Sequence, residues 1–160
     1  MSPQPGIAIE MTDPRRTDVR RLVAELDAYM QGLYPAESNH LVDVESLAAP
    51  EVRFFTVRVE GELMGCAAIM LREESAEEPY AEVKRVYVSP RGRGLGLGKR
   101  LLSRLEEETR TAGLALMRLE TGIYQPEALG LFAAFGFDRC GPFGDYPVDD
   151  PHSVFMAKRL

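Results

Sequence analysis

The sequence predicts an α/β fold, a mixed sheet of about seven strands flanked by about four helices, and three observations lead there. Strand-like and helix-like stretches follow one another in the order β-αα-βββ-α-β-α-ββ. One stretch, Met64-Gly65-Cys66-Ala67-Ala68-Ile69-Met70-Leu71, is apolar throughout, as expected of a strand in the middle of a sheet. Val86-Tyr87-Val88 runs through Ser89-Pro90 into a turn with glycine at positions 92, 94, 96 and 98, after which a helical pattern resumes. The 160 residues are 45% hydrophobic, enough for a full core, and residues 1–160 read as one domain.

Taken in order, Gly6–Met11 alternates enough to be a first strand, and Thr12-Asp13-Pro14 breaks it and offers a helix start. From Thr17, the residues Val19, Leu22, Val23, Leu26, Tyr29, Met30 and Leu33 recur at helical spacing. Tyr34–His40 interrupts that helix with a run of hydrogen-bonding groups before a short helical stretch at 43–48. The break reads equally well as a capped connection or as a substrate wall. Val52–Glu60 and Leu63–Arg72 form a hairpin around Glu60-Gly61-Glu62. After the acidic loop Glu73–Pro79, Tyr80–Ser89 is the fourth strand, with Glu82, Lys84, Val86 and Val88 on one face. A helix lined by Leu97, Leu101, Leu102, Leu105 and Thr109 ends at Ala112-Gly113. Leu114–Thr121 is a strand, Pro126–Phe135 a helix closed by Gly136, and Phe137–Cys140 and Ser153–Lys158 are two last strands.

Composition narrows the partners. The net charge is −6 and the pI about 5.0, which argues against general nucleic-acid binding. No apolar run is long enough for a membrane span, and Met1–Gly6 lacks the features of a secretory leader. Cys66 and Cys140 lie far apart without metal-ligand spacing, and only two histidines are present, so the expectation is a cytoplasmic protein without a metal. A homodimer is left open.

Against that acidic background, Lys84 to Arg104 holds seven basic residues and no acidic one. A glycine-rich turn opening a helix turns N–H groups and the positive end of a dipole toward a ligand, so an anion cradle is expected. A phosphate loop of the G-x-x-x-x-G-K-[ST] type fails, because Arg93 stands at its first glycine and Arg100 follows Lys99. A dinucleotide fingerprint fits poorly, since Gly94-x-Gly96-x-Gly98 is one residue short. Glu120, at the end of the next strand, keeps nucleotide-dependent oxidoreduction as a minority reading, and a surface turn with no ligand as a further one.

Arg93-Gly94-Leu95-Gly96-Leu97-Gly98 resembles the R-x-x-G-x-G pyrophosphate loop of the GNAT superfamily, the acyl-CoA-dependent N-acyltransferases. Gln125-Pro126-Glu127-Ala128 through Phe132 to Gly136-Phe137 is similar to a second signature of that family, with glutamine for its asparagine and Phe132 for its tyrosine. The resemblance spans residues 6 to 158 and, in Leu119–Gly122, Gly141–Tyr146 and Asp150–Met156, extends to a bacterial branch of small-molecule acetyltransferases.

The resemblance implies a sheet splayed between strands four and five, with acetyl-CoA as cofactor. Val86, Tyr87 and Val88 would meet its pantetheine arm. Arg91 and the run Arg93, Gly94, Leu95, Gly96, Leu97, Gly98 and Lys99 would hold its diphosphate, and Gln125, Ala128 and Phe132 would contact it further along. The reaction implied is direct attack of a small-molecule primary amine on the thioester. Glu82 is the expected base, or else a strand glutamate paired with Lys84 or Arg85. Phe132 has no hydroxyl, so Tyr124 is the first candidate acid, with Tyr146 and water behind it. Tyr34, Ser38, His40, Arg85 and Tyr146 are candidates for the acceptor, although strict alternation puts Arg85 on the strand face opposite Glu82. A non-catalytic acyl-CoA-binding module and a protein lysine acetyltransferase are the alternatives.

Overall fold

Residues 6–36, 43–74 and 78–160 are described by the structure, a computed structural model. Its elements are β1 (Ile7–Met11), α1 (Thr17–Leu33), α2 (Val44–Leu47), β2 (Val52–Val59), β3 (Glu62–Arg72), β4 (Tyr80–Val88), α3 (Leu97–Thr111), β5 (Leu116–Gly122), α4 (Pro126–Ala134), β6 (Asp138–Arg139) and β7 (Ser153–Arg159). The order expected from the sequence is found. The strands form one seven-stranded sheet, β1-β2-β3-β4-β5-β7-β6. Every neighbouring pair is antiparallel except β4 and β5, which α3 connects in the crossover that a parallel pair requires. The β2–β3 hairpin turns on Glu60 and Gly61, both at positive φ, the backbone that matches strand twist.

The two sheet faces bury different sets. Phe55, Ile69, Ala81, Val83, Met117 and Leu119 pack with Leu101, Leu102 and Leu105 of α3 and with Phe132 of α4. On the other face Val19, Leu22 and Val23 of α1 and Leu47 of α2 cover Phe54, Cys66, Ala68 and Met70. Asp43 caps α2 by accepting the Ser46 N–H at 2.7 Å.

Two details set the site. The β4/β5 pairing is confined to Ala81↔Met117 and Glu82↔Arg118, whereas β5 stays on β7 as far as Gly122 and β4 stays on β3 as far as Val88. The two strands therefore part toward their C-terminal ends. In addition, β4 carries a bulge. Cys66 and Ala68 of β3, with one residue between them, face Tyr87 and Lys84, with two between them, and Arg85 takes φ 54°. The Cys66 thiol donates to the Arg85 carbonyl at 3.2 Å.

The bulge corrects the alternation expected for this strand. Val86 and Val88 pack with the α3 and α4 side, Tyr87 with the α1 side, and Arg85 forms an ion pair with α1. Arg85 therefore leaves the face that strict alternation assigns it and joins Glu82 and Lys84.

Burial pushes the Cys66 thiol up to about 12, so its reactive thiolate is scarce at neutral pH. In the native protein dithiobis-nitrobenzoate is expected to titrate the exposed Cys140 alone, and both thiols only after denaturation. Rapid native modification of Cys66 would contradict the packing of β3.

Candidate active site

The turn after β4 begins as a short 3₁₀ turn, Pro90–Gly92, in which Gly92 is buried and a Cβ would lie tightly, 3.0–3.4 Å from Leu97, Met64 and Val88. Arg93 is extended, and Gly94 and Gly96 then take φ 86° and 70°. L side chains rarely adopt that conformation, and at both positions the space where a Cβ would sit is open. Gly96 is the N-cap of α3, so the first-turn amides of the helix have no intrahelical acceptor. Gly98 has a different constraint: a Cβ there would come within 2.8 Å of Leu131 of α4. Leu97 is buried in the core and Leu95 is partly exposed, so the loop offers backbone rather than leucine side chains. Arg91 and Arg93 pair with Glu62 at 2.5 Å and Glu127 at 3.1 Å, and Lys99 is exposed.

Where β4 and β5 part, a cleft opens that is lined by Leu26, Met30 and Tyr34 of the α1 side, Val83 to Val86 of β4, and Leu119 to Gly122 of β5. Gln125, Ala128 and Phe132 of α4 and His152 complete it. The edge of β4 beyond Glu82 has no strand partner on the β5 side, which leaves main-chain donors and acceptors for an extended ligand.

The far wall is held by Tyr34. Its hydroxyl accepts the Tyr124 N–H at 3.0 Å and donates to Gln125 Oε1 at 3.3 Å. Gln125 Oε1 also accepts the Gly122 N–H at 3.3 Å, so the glutamine carbonyl closes the turn after β5. The Tyr34 ring stacks on Tyr124 at 5.5 Å, and His152 meets both rings edge-on or tilted. His152 Nδ1 lies 3.5 Å from Asp150 Oδ1. A Cβ on Gly122 would overlap the Tyr34 hydroxyl. Gly122→Ala is accordingly expected to cost about 1–3 kcal/mol through overpacking. A melting temperature lowered by roughly 5 °C would register it, and an unchanged one would contradict the position of Tyr34.

Glu82, expected as the base, does not line this cleft. It is 2% exposed and surrounded by donors. Tyr146 donates to Oε2 at 2.5 Å, Lys84 Nζ is 2.9 Å from the same oxygen, and Arg72 lies 3.3 Å from Oε1. Lys84 also contacts the Tyr146 hydroxyl. The group faces a wider cavity of about 940 Å³ floored by Tyr80, Arg118 and Phe143. Burial first, and then the charge of Glu82, pushes the Tyr146 phenol far above its ordinary value, so it stays protonated.

Of the acceptor candidates, Tyr34 and Arg85 line the cleft, Tyr146 lines the wider cavity, and Ser38 and His40 lie outside the described residues. Arg85 is 8% exposed, with Nε 3.5 Å from Asp27 Oδ1. Tyr124 is half exposed and is not among the residues that line the cleft, but its ring stacks on Tyr34, which is. The Tyr87 hydroxyl donates to Glu25 at 2.6 Å, and burial raises that phenol. Sequence reasoning passed over Glu120 as an acceptor-side group. It lines the cleft, and its Oε2 accepts the Ser153 hydroxyl at 2.7 Å. The alternative expectation, a strand Glu82 paired with Lys84, is what the structure shows, whereas the Asp150–His152 pair was passed over, since no spacing rule connects it to the glycine turn.

The family model "Acetyltransferase (GNAT) family" matches residues 19–137. The chain belongs to that family. It is 46% identical over 156 residues to a protein of Azospirillum brasilense named IAA acetyltransferase, with 98% of this chain and 99% of that one covered. It is 34% identical to the uncharacterised N-acetyltransferase YsnE of Bacillus subtilis (strain 168), covering 95% and 99%. A crystal structure described as an acyl-CoA N-acyltransferase from Klebsiella pneumoniae superimposes with a TM-score of 0.79 at 35% identity, covering 96% of this chain and 97% of that one. The protein is therefore a GNAT acetyltransferase, and acetyl-CoA is the family's acyl donor. This displaces the oxidoreductase reading of Glu120.

Proposed function

We propose that this GNAT protein transfers an acetyl group from acetyl-CoA to a small-molecule primary amine by direct attack while both are bound. The observation that carries the reading is the parting of β4 and β5 beyond Glu82↔Arg118, with β4 leading into a helix preceded by two glycines at positive φ. The residues present fit the donor. Amides from Gly94 to Lys99 would hold its diphosphate, and main-chain groups of Val86 and Val88 its pantetheine arm. Tyr87 would contribute backbone, since its hydroxyl is held by Glu25. Ala128 and Phe132 would pack on it, and Gln125 lines the same cleft.

When bound, acetyl-CoA supplies a thioester: the C–N bond forms, the C–S bond breaks, one proton leaves the amine and one reaches sulfur. An amine of ordinary pKa near 10.4 must first lose its ammonium proton, at roughly 4–5 kcal/mol at pH 7. Glu120, lining the cleft, would accept that proton directly or through water. Glu82 would act as a positioning residue, holding Lys84 and Tyr146. Tyr124 would protonate the departing sulfur, because the Tyr146 hydroxyl already serves Glu82. The Tyr124 main chain is fixed by Tyr34, which favours proximity as a large part of the rate.

The test is thiol release from acetyl-CoA across a panel of primary amines, with the peptide amine of a lysine included. Turnover on small amines supports the reading. Tight CoA binding with no turnover on any amine would overturn it in favour of a binding module, and turnover on the peptide alone would favour lysine acetylation. Tyr124→Phe is expected to lower kcat on the order of 100-fold with little change in CoA affinity. An unchanged kcat would move the acid role to water.

A further inference from the structure

Next to the thioester cleft stands an aromatic wall that acetyl transfer alone does not require. Tyr34, Tyr124 and His152 touch one another with ring centroids 5.5–6.0 Å apart. The wall is stiff: Tyr34 is wedged on Gly122, and its hydroxyl holds the Tyr124 main chain. Yet the outer ring is left open. Tyr124 is 51% exposed, with Ile123 at 41% on the same turn, and Tyr29 of α1 is 50% exposed. A large, immobilised aromatic face kept in water beside a reaction cleft is suited to receiving another flat ring.

Glu120 lines the same cleft as Tyr34 and His152 of this wall. The Glu120 carboxylate is held by Ser153, and its charge reaches both neighbouring phenols, adding to the burial that raises Tyr34 and Tyr146. A flat apolar surface ending in an oriented carboxylate is complementary to an aromatic ring that carries an ammonium group on a short arm. Leu26 and Met30 give the arm an apolar floor.

We infer that the acceptor belongs to the arylalkylamines, its ring lying on Tyr124 and its ammonium facing Glu120. This rests on the acetyltransferase reading above and names the substrate class of the same site. It assigns Tyr124 a ring-face function separate from its hydroxyl, and Glu120 a function in binding as well as in proton removal.

The chain has no tryptophan, so the fluorescence of an indole probe reports the ligand alone. Binding of tryptamine is followed by anisotropy with and without saturating CoA, and n-hexylamine and tryptophol are measured by competition. Tryptamine is expected to bind about tenfold more tightly than n-hexylamine, which lacks the ring, and than tryptophol, which lacks the charge. Tyr124→Leu is expected to erase the preference over n-hexylamine, whereas Tyr124→Phe keeps it. Glu120→Gln is expected to erase the preference over tryptophol. Equal affinity for tryptamine and n-hexylamine in the wild type, or a ring preference that survives in a folded Tyr124→Leu protein, overturns the inference. CoA affinity measured on the same samples separates the outcomes. Loss of CoA binding alone would strike the acetyltransferase reading, and normal CoA binding with no tryptamine binding would strike this one.

Discussion

Gly96→Val is expected to weaken CoA binding by on the order of 100-fold or more while the protein still folds. Gly96 sits at φ 70°, and a β-branched residue there would cost roughly 1–2 kcal/mol and press the backbone toward negative φ. No protein atom lies within 4 Å of the added Cβ, so the penalty on the fold is conformational and not a clash. The side chain would enter open space at the N-terminal end of α3, where the first-turn amides have no intrahelical acceptor. Rotating two of those donors away from a diphosphate would remove charge-assisted hydrogen bonds worth about 1.5–3 kcal/mol each. That sum corresponds to a loss of roughly 100-fold or more. Isothermal titration with CoA, alongside a melting curve, reads both quantities. Unchanged affinity in the folded variant would remove the turn from the binding site. Gly98→Val is a poor substitute, because its first consequence is a collision with Leu131.

Glu82→Leu is expected to be the most destabilising single change in the sheet away from the glycine turn. It would leave Lys84, with an 11% exposed side chain, beside Arg72 and without its acid. Removing one partner of a buried pair typically costs about 3–5 kcal/mol, whereas replacing both by apolar groups of similar shape is far milder. The double variant Glu82→Leu with Lys84→Met should therefore recover much of the loss, and denaturant unfolding of both proteins measures it. A single variant as stable as the wild type would mean that the cluster contributes little. If instead Glu82 is the catalytic base, Glu82→Gln will abolish turnover at full stability. The structure favours a modest effect, because the carboxylate faces Lys84, Arg72 and Tyr146 and not the cleft.

What could be read from sequence was whatever local backbone chemistry announces. Pro90 and the alternating glycines mark the end of a strand, a loop of unusual dihedrals and the start of a helix, and the structure follows that pattern from Val88 to Leu97. The apolar run of β3 gave its central place, with β2 and β4 on either side. The bulge at Arg85 was not legible. Strand faces are inferred by counting in twos, and an extra residue without glycine or proline leaves no local mark. That single insertion moved Val86 and Val88 to the face opposite Glu82 and brought Arg85 onto the face of Glu82 and Lys84. Contacts between distant segments were equally hidden. Glu82 meets Tyr146 across 64 residues, and Tyr34 holds Tyr124 across 90. The last strand pair was also shorter than its pattern, since β6 covers only Asp138–Arg139.

The central claim is that the main chain between β4 and α3 holds the acyl donor. Its most direct test is an amide NMR titration of the assigned protein with CoA. The expected result is that the largest shifts fall on Gly94, Gly96, Gly98 and Lys99, with a second group at Val86 and Val88. Saturation with CoA that leaves those amides unmoved, or moves a different surface, would contradict it.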